Sequence, residues 1–363
     1  MSQTGSRGLW LLLVLVVVAV GCGKPIQVMP VPSPPVTRSV TISPQPTFCT
    51  IPWETGIAYP QWNSSGYGAN DTVWRSEVAT LKAQTNSCWI EMPVLFTQMS
   101  NSSTSMQAES NAPTPAALTA GVEYAHSLGL KVFVTFLMSV KQPGGWAGSI
   151  RFSNLLDEMA WFANYWKAIA PYTQAAEVSM VDQLAFGVEE QWLQTFASPN
   201  LWNQLISAVS HVYSRQLVYD MNWSASGVVL QDWMRNKSLT TIGVDAYWPL
   251  TSYKRKLSMA DITSQWLAIV KPQLDSLSRQ LGREIIIGEM GFRDDEFAGY
   301  ATWQSSNSGR KDPQEQSWLF DVAIAELRAD THVAGVFLWG WQDTGAFDLK
   351  GSVAVATIAT RYS

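Results

Sequence analysis

Charge is scarce in this sequence, and so are histidine and cysteine. Only 15% of the 363 residues are Asp, Glu, Lys or Arg, and the net charge is −5. No basic patch occurs, which argues against nucleic acid as a partner. Three histidines, His126, His211 and His332, stand far apart in helical or loop contexts. They offer no metal-ligand spacing, so no catalytic metal is expected. No Gly-rich phosphate fingerprint follows the first apolar strand, and no cofactor is expected. The N-terminal apolar run, residues 9–20, has 12 residues, too few to span a bilayer comfortably. No internal repeat and no second domain are visible.

Tryptophan, by contrast, is abundant, at 18 residues. Core packing accounts for part of that number. The remainder is expected to line an exposed surface, and flat indoles stack well on the flat faces of sugars.

The N-terminus reads as a targeting segment. One Arg precedes the run "LWLLLVLVVVAV", and "GCGK" follows it. The length suits a signal-peptide core. Ala19-Val20-Gly21-Cys22 has the pattern of a bacterial lipobox, in which cleavage precedes a cysteine that is then acylated. Residues 1–21 are thus expected to be a lipoprotein signal, with Cys22 as the lipid anchor to a bacterial membrane on its extracytoplasmic side. Residues 22–47 are rich in Pro, Ser, Thr and Val without periodicity, as in an extended tether. Residues 48–363 are left for one catalytic domain. Export permits a Cys49–Cys88 disulfide. Two buried free thiols fit the sequence equally well, because Cys88 opens an apolar strand.

From residue 54 onward, short apolar runs alternate with helical patterns. The runs span 55–60, 88–96, 131–138, 183–190, 216–223, 241–248, 284–291 and 334–341. They are almost continuously apolar, as strands buried on both faces are. Amphipathic stretches lie between them at 70–85, 114–129, 153–178, 201–215 and 312–329. Strand and helix alternating through eight runs predict an α/β fold of the (β/α)8 TIM-barrel type. A doubly wound sheet is the alternative.

In such a barrel the active site lies at the C-terminal ends of the strands. The fourth run ends in Glu189-Glu190, the fifth in Asn222-Trp223 and the sixth in Asp245-Ala246-Tyr247-Trp248. The seventh ends in Glu289, and the eighth in Trp339-Gly340-Trp341. Two carboxyls across a sugar-sized gap are the minimum apparatus for glycoside hydrolysis. Tyr247 neighbours Glu289 and is expected to bond it and keep it ionised. Asn222 is a candidate sugar ligand, while Trp339, Trp341 and Trp146 are candidate sugar platforms. Asp245 lies within its strand and reads as a structural hydrogen-bonding group.

The stretches "GVEEQW", "YDMNWS", "IGVDAYWPL", "IIIGEMGF" and "GVFLWGW" occur in the order and spacing of glycoside hydrolase clan A. The chain most resembles family 113, the β-1,4-mannanases, over roughly residues 54–345. This resemblance implies that Glu189 is the acid/base and Glu289 the nucleophile of a retaining enzyme. Glu190 then takes the family's apolar position, and strand alternation turns it outward. Val188 stands where the family has Thr, and Phe136-Leu137-Met138-Ser139 closes the third run without the polar residues expected there. The Lys-Pro signature expected after Trp341 is also missing. The expected activity is cleavage of a β-linked polysaccharide, foremost by an endo-β-1,4-mannanase. A related β-glycanase acting on glucan or xylan, and a weakly active or non-catalytic carbohydrate-binding lipoprotein, are the alternatives.

Overall fold

The computed structural model describes residues 49–342 and 345–363. The signal segment, Cys22 and the tether lie outside the described residues. Nine strands are present among those described: β1 (Glu54–Ala58), β2 (Trp89–Gln98), β3 (Met106–Ala108), β4 (Lys131–Val140) and β5 (Gln183–Val188). They continue with β6 (Gln216–Asn222), β7 (Thr241–Asp245), β8 (Ile285–Met290) and β9 (Val333–Leu338). Eight of them pair in parallel, in the order β1-β9-β8-β7-β6-β5-β4-β2, and the β1–β2 pairing closes the ring. All eight match the runs read from the sequence. The ninth, β3, adds antiparallel to the end of β2.

Helices follow the strands: α1 (Thr72–Thr85), α2 (Pro115–Ser127), α3 (Leu155–Val178), α4 (Gln191–Phe196) and α5 (Pro199–Val212). Then come α6 (Met259–Gln265), α7 (Lys271–Leu281), α8 (Pro313–Ala329) and α9 (Ala354–Tyr362). Their starts are encoded locally. Asp71, Thr114, Asn154 and Asp312 each accept a bond from a backbone amide of the first turn. Such caps are worth about 1 kcal/mol each. The result is a closed (β/α)8 barrel.

Period-two alternation divides the strand side chains between two cores. Outward residues such as Ile90, Val134, Phe186, Tyr219 and Ile287 pack under the helices. Inward residues Trp89, Phe133, Ala185, Val218, Ile286 and Phe337 form a separate apolar layer inside the barrel. Two residues further along their strands, toward the mouth, the inward positions turn polar. They are Glu91 on β2, Thr135 on β4 and Asp220 on β6, all fully or almost fully buried. Cys49 and Cys88 are bridged at the opposite end, with Cα atoms 5.4 Å apart, so the free-thiol alternative falls away.

Candidate active site

β5 stops at Val188, and the next residue, Glu189, is in the left-handed region with φ of 59°. A non-glycine residue held there costs on the order of 1–3 kcal/mol, and such strain concentrates at functional sites. The turn is held by Glu189 N–H donating to Asp220 O at 3.0 Å and Gln191 N–H donating to Glu189 O at 2.6 Å. It sends the two neighbouring acids opposite ways. Glu189 lines the open cleft at the mouth. Glu190 is fully buried, facing the helix layer, where Tyr219 and Tyr165 lie beside it. The expected outward turn of Glu190 therefore leads into the outer core and not to solvent.

The cleft has a volume of about 680 Å³. It brings together Glu189, Glu289, Asn222, Tyr247 and Trp146, from four different strand ends and the loop after β4. Trp146 is 40% exposed and so presents a free face. Tyr247 donates its hydroxyl hydrogen to Glu289 Oε2 at 3.2 Å. The Oδ1 of Asn222 is buried and has no hydrogen-bond partner among the described residues.

Two tryptophan expectations fare differently. Trp339 is half-buried just past β9, its amide bonded to Met290 O at 2.9 Å, and it is not among the residues lining the cleft. Trp341 is a correction, because it is fully buried and presents no face to a sugar. Its indole donates to Glu77 on α1 at 3.3 Å, and its amide to Ala58 O at 2.8 Å. The turn after β9 tucks this ring under the helices.

Sequence reasoning missed several cleft residues. Trp223, Trp303 and Phe347 line it with Gln191. Trp223 and Trp303 form a tilted pair with ring centroids 5.2 Å apart. Trp303 sits on the long connection between β8 and α8, which has no periodicity to betray it. A fully buried Arg293 organises that connection. Its guanidinium donates to the carbonyls of Phe297, Tyr300 and Ala301 at 2.8–2.9 Å and pairs with Asp295 at 3.0 Å. Thr302 then bonds the carbonyl of Tyr247, joining the loop to the site.

Beneath the mouth lies a second set of acids. Asp220 lies against Gly288 and Gly243, and a Cβ on Gly288 would come within 1.5 Å of its carboxyl. Only glycine leaves that space. Asp220 and Asp245 are both fully buried there, and none of their four carboxyl oxygens has a hydrogen-bond partner among the described residues. Asp245 was expected to be a structural hydrogen-bonding group, but its carboxyl oxygens bond to nothing among the described residues. Glu91 is tied to Thr135 Oγ1 at 2.8 Å.

Burial dominates the electrostatics of the set. It raises Glu189 to about 7 and Asp220 to about 8, well above the ordinary carboxyl range. Glu289 is also pushed well up, first by burial and then by the charges of Glu91, Glu189 and Asp220. The Tyr247 bond works the other way but does not outweigh burial. A carboxyl near 7 is poised to give up a proton in neutral solution.

Residues of metal-ligand type gather elsewhere. Among the described residues Asp275, Asp330 and His332 come together, but the ammonium of Lys271 already lies 2.9 Å and 2.7 Å from the two aspartates. A resident cation of the protein's own meets that charge.

A barrel whose strand ends hold a proton-donating carboxyl and a tyrosine-bonded carboxyl in an aromatic cleft has the plan of a glycoside hydrolase. The model of glycoside hydrolase family 113 matches residues 58–352, and the chain belongs to that family. No curated protein sequence matches the chain. Among solved structures it is similar to a family 113 β-1,4-mannanase, with a TM-score of 0.73 and 19% identity over 86% of this chain and 99% of that one. It is likewise similar to the family 113 β-mannanase of Alicyclobacillus acidocaldarius, at 0.71 and 19%, over 86% and 98%. A family 5 mannosidase of Rhizomucor miehei is more distant, at 0.56 and 10%, over 85% and 92%. The protein is a glycoside hydrolase acting on an oligosaccharide or polysaccharide.

Proposed function

We propose that the protein is a retaining endo-β-1,4-mannanase, with Glu289 as nucleophile and Glu189 as acid/base. The observation that carries this reading is the cleft itself, in which Glu189, at about 7, and Glu289, bonded to Tyr247, meet among Trp146, Trp223 and Trp303. Glu289 attacks the anomeric carbon as the glycosidic bond breaks, and Glu189 gives its proton to the departing oxygen. In the second step Glu189 takes a proton from water, which displaces Glu289 from the sugar. Reducing-sugar release from mannan, glucomannan, xylan and β-glucan tests the substrate, and mannan is expected to be cut fastest. NMR of the first product tests retention, and an inverted anomer refutes it.

Mannose carries an axial 2-hydroxyl where glucose has an equatorial one, so discrimination needs a polar group at that place. Val188 is buried inside the barrel and offers no hydrogen bond. Asn222 lines the same cleft and its buried Oδ1 has no partner among the described residues, which supports it as the alternative reader. Asn222→Ala is therefore expected to lower kcat/KM on manno-oligosaccharides far more than on gluco-oligosaccharides of equal length. Sites that bond a hydroxyl discriminate by more than the roughly 10–200-fold of apolar contacts. Equal rates on both sugars, indifferent to Asn222→Ala, would leave a general β-glycanase.

The same reading places the enzyme at a bacterial membrane, held on its extracytoplasmic side by acylated Cys22. The support is the lipobox-like sequence and the Pro-rich stretch after it. Cys22→Ser should move the protein from the membrane fraction to the soluble one, and unchanged membrane retention would remove the anchor from the account.

A further inference from the structure

Tyr247 stands beyond the end of its own strand, since β7 stops at Asp245. Its amide donates to Asp245 O at 3.0 Å, and the amide of Ala246 donates to Glu289 O at 2.7 Å. Its carbonyl is held from another part of the chain, by the hydroxyl of Thr302 on the connection between β8 and α8. The backbone has only two soft dihedrals per residue. With N–H and C=O both tied, those of Tyr247 are set, and so is the direction of its Cβ. The ring then runs beside Phe347, with centroids 6.0 Å apart, and its hydroxyl reaches Glu289 Oε2 at 3.2 Å.

The connection that supplies Thr302 is itself fastened. Arg293, just past β8, gathers the carbonyls of Phe297, Tyr300 and Ala301, so the backbone directly ahead of Thr302 is fixed by a buried guanidinium. The same stretch is stitched to the segment after β7. Leu250 N–H donates to Gly299 O at 2.9 Å, and Lys254 Nζ to Ser308 O at 3.1 Å. Thr302 is buried between the two. A buried hydroxyl in this position cannot be lost without leaving the carbonyl it serves unpaired.

We propose that Thr302 is a positioning residue for hydrolysis, which holds the Tyr247 carbonyl and thereby aims the Tyr247 hydroxyl at Glu289. This rests on the reading of Glu289 as the nucleophile. The β8–α8 connection then serves the site twice. Its Trp303 lines the cleft, and its Thr302 acts from behind on the partner of the attacking carboxylate. The charges that bear on Glu289 come from Glu91 of β2, Glu189 after β5, Asp220 of β6 and Asp245 of β7, all of them acids. Against that set, the Tyr247 bond favours the ionised form that attack requires.

The test is a double-mutant cycle on Thr302→Val and Tyr247→Phe, read as kcat/KM on an aryl β-mannobioside with an acidic phenol. That leaving group frees the first step from the proton of Glu189. Valine keeps the shape of threonine and lacks its hydroxyl. Each single variant is expected to lose on the order of tenfold, as for a hydrogen bond to a charged group. The double variant should be no slower than Tyr247→Phe alone, because both changes remove the same bond. Thr302→Ser, which keeps the hydroxyl, should restore the parent rate. The acid limb of kcat/KM should move to higher pH in Thr302→Val, as in Tyr247→Phe. Losses that multiply in the double variant, a Thr302→Ser as slow as Thr302→Val, or an acid limb that stays in place overturn the proposal. Glu289→Gln, measured alongside, separates the two levels. If it is inactive, those results count against Thr302 alone, and if it keeps the parent rate, the nucleophile assignment falls and the proposal with it.

Discussion

Glu189→Gln is expected to slow hydrolysis of a natural glycan on the order of 10²–10⁴-fold, the usual worth of a general acid. The loss should shrink on a substrate with an acidic leaving group, which needs no proton to depart. Glu289→Gln should cost more, because no covalent intermediate can then form, and a better leaving group should not rescue it. Glu190→Gln is the informative contrast. Burial raises Glu190 to about 8, so at neutral pH it is already largely the uncharged acid, which an amide imitates closely. Its rate should stay close to that of the parent. The measurement is kcat on mannan and on an aryl glycoside for all three variants. A large loss in Glu190→Gln with little in Glu189→Gln would reverse the assignment of the two acids.

The second large effect is on stability. Glu54 and Glu189 rise to about 7, and Glu190 and Asp220 to about 8, each chiefly by burial. In the unfolded chain the same groups release their protons near pH 4. Between about pH 4.5 and 8 the folded protein therefore binds more protons than the unfolded chain, and stability must fall as pH rises. Below that window both states are protonated and the penalty vanishes. One pKa unit corresponds to about 1.4 kcal/mol, and at roughly 2–4 °C per kcal/mol even a small part of these shifts should lower Tm by on the order of 10 °C from pH 5 to pH 8. Asp220→Asn removes one titrating group from the set and should flatten the decline. A Tm that is level or climbs over this range would show that the acids are not held protonated by burial.

The barrel was readable because its strands are buried on both faces and so appear as unbroken apolar runs. Helices longer than three turns also showed their period. The six-residue α4 is too short to do so, and α6 and α7 are run together by a π-helical segment, Trp266–Val270. At the site, strand-end positions identified Glu189, Glu289, Asn222 and Tyr247, because a barrel must aim those residues at one mouth. Residues brought in by loops, such as Trp303 and Phe347, carried no such signal. Glu91 and Asp220 did carry one, being acids inside apolar strands, and went unread. Trp341 misled because it was read as part of the strand end, whereas β9 stops at Leu338 and the chain has turned by then. Alternation was also the wrong reason for separating Glu189 from Glu190, since the left-handed turn after β5 does it.

The Cys49–Cys88 bridge closes a loop that contains β1 and α1. β1 is the strand that completes the ring, bonded to β2 on one side and β9 on the other. Consider tension applied to the chain ahead of Cys49. Without the bridge it would run along residues 50–53 and peel β1 from the ring like the end of a zip. With the bridge, the load crosses the sulfur atoms and enters the barrel at the foot of β2. Ten consecutive register pairs tie that strand to β4. The load is then spread in shear along this ladder, and the seam of the barrel carries none of it.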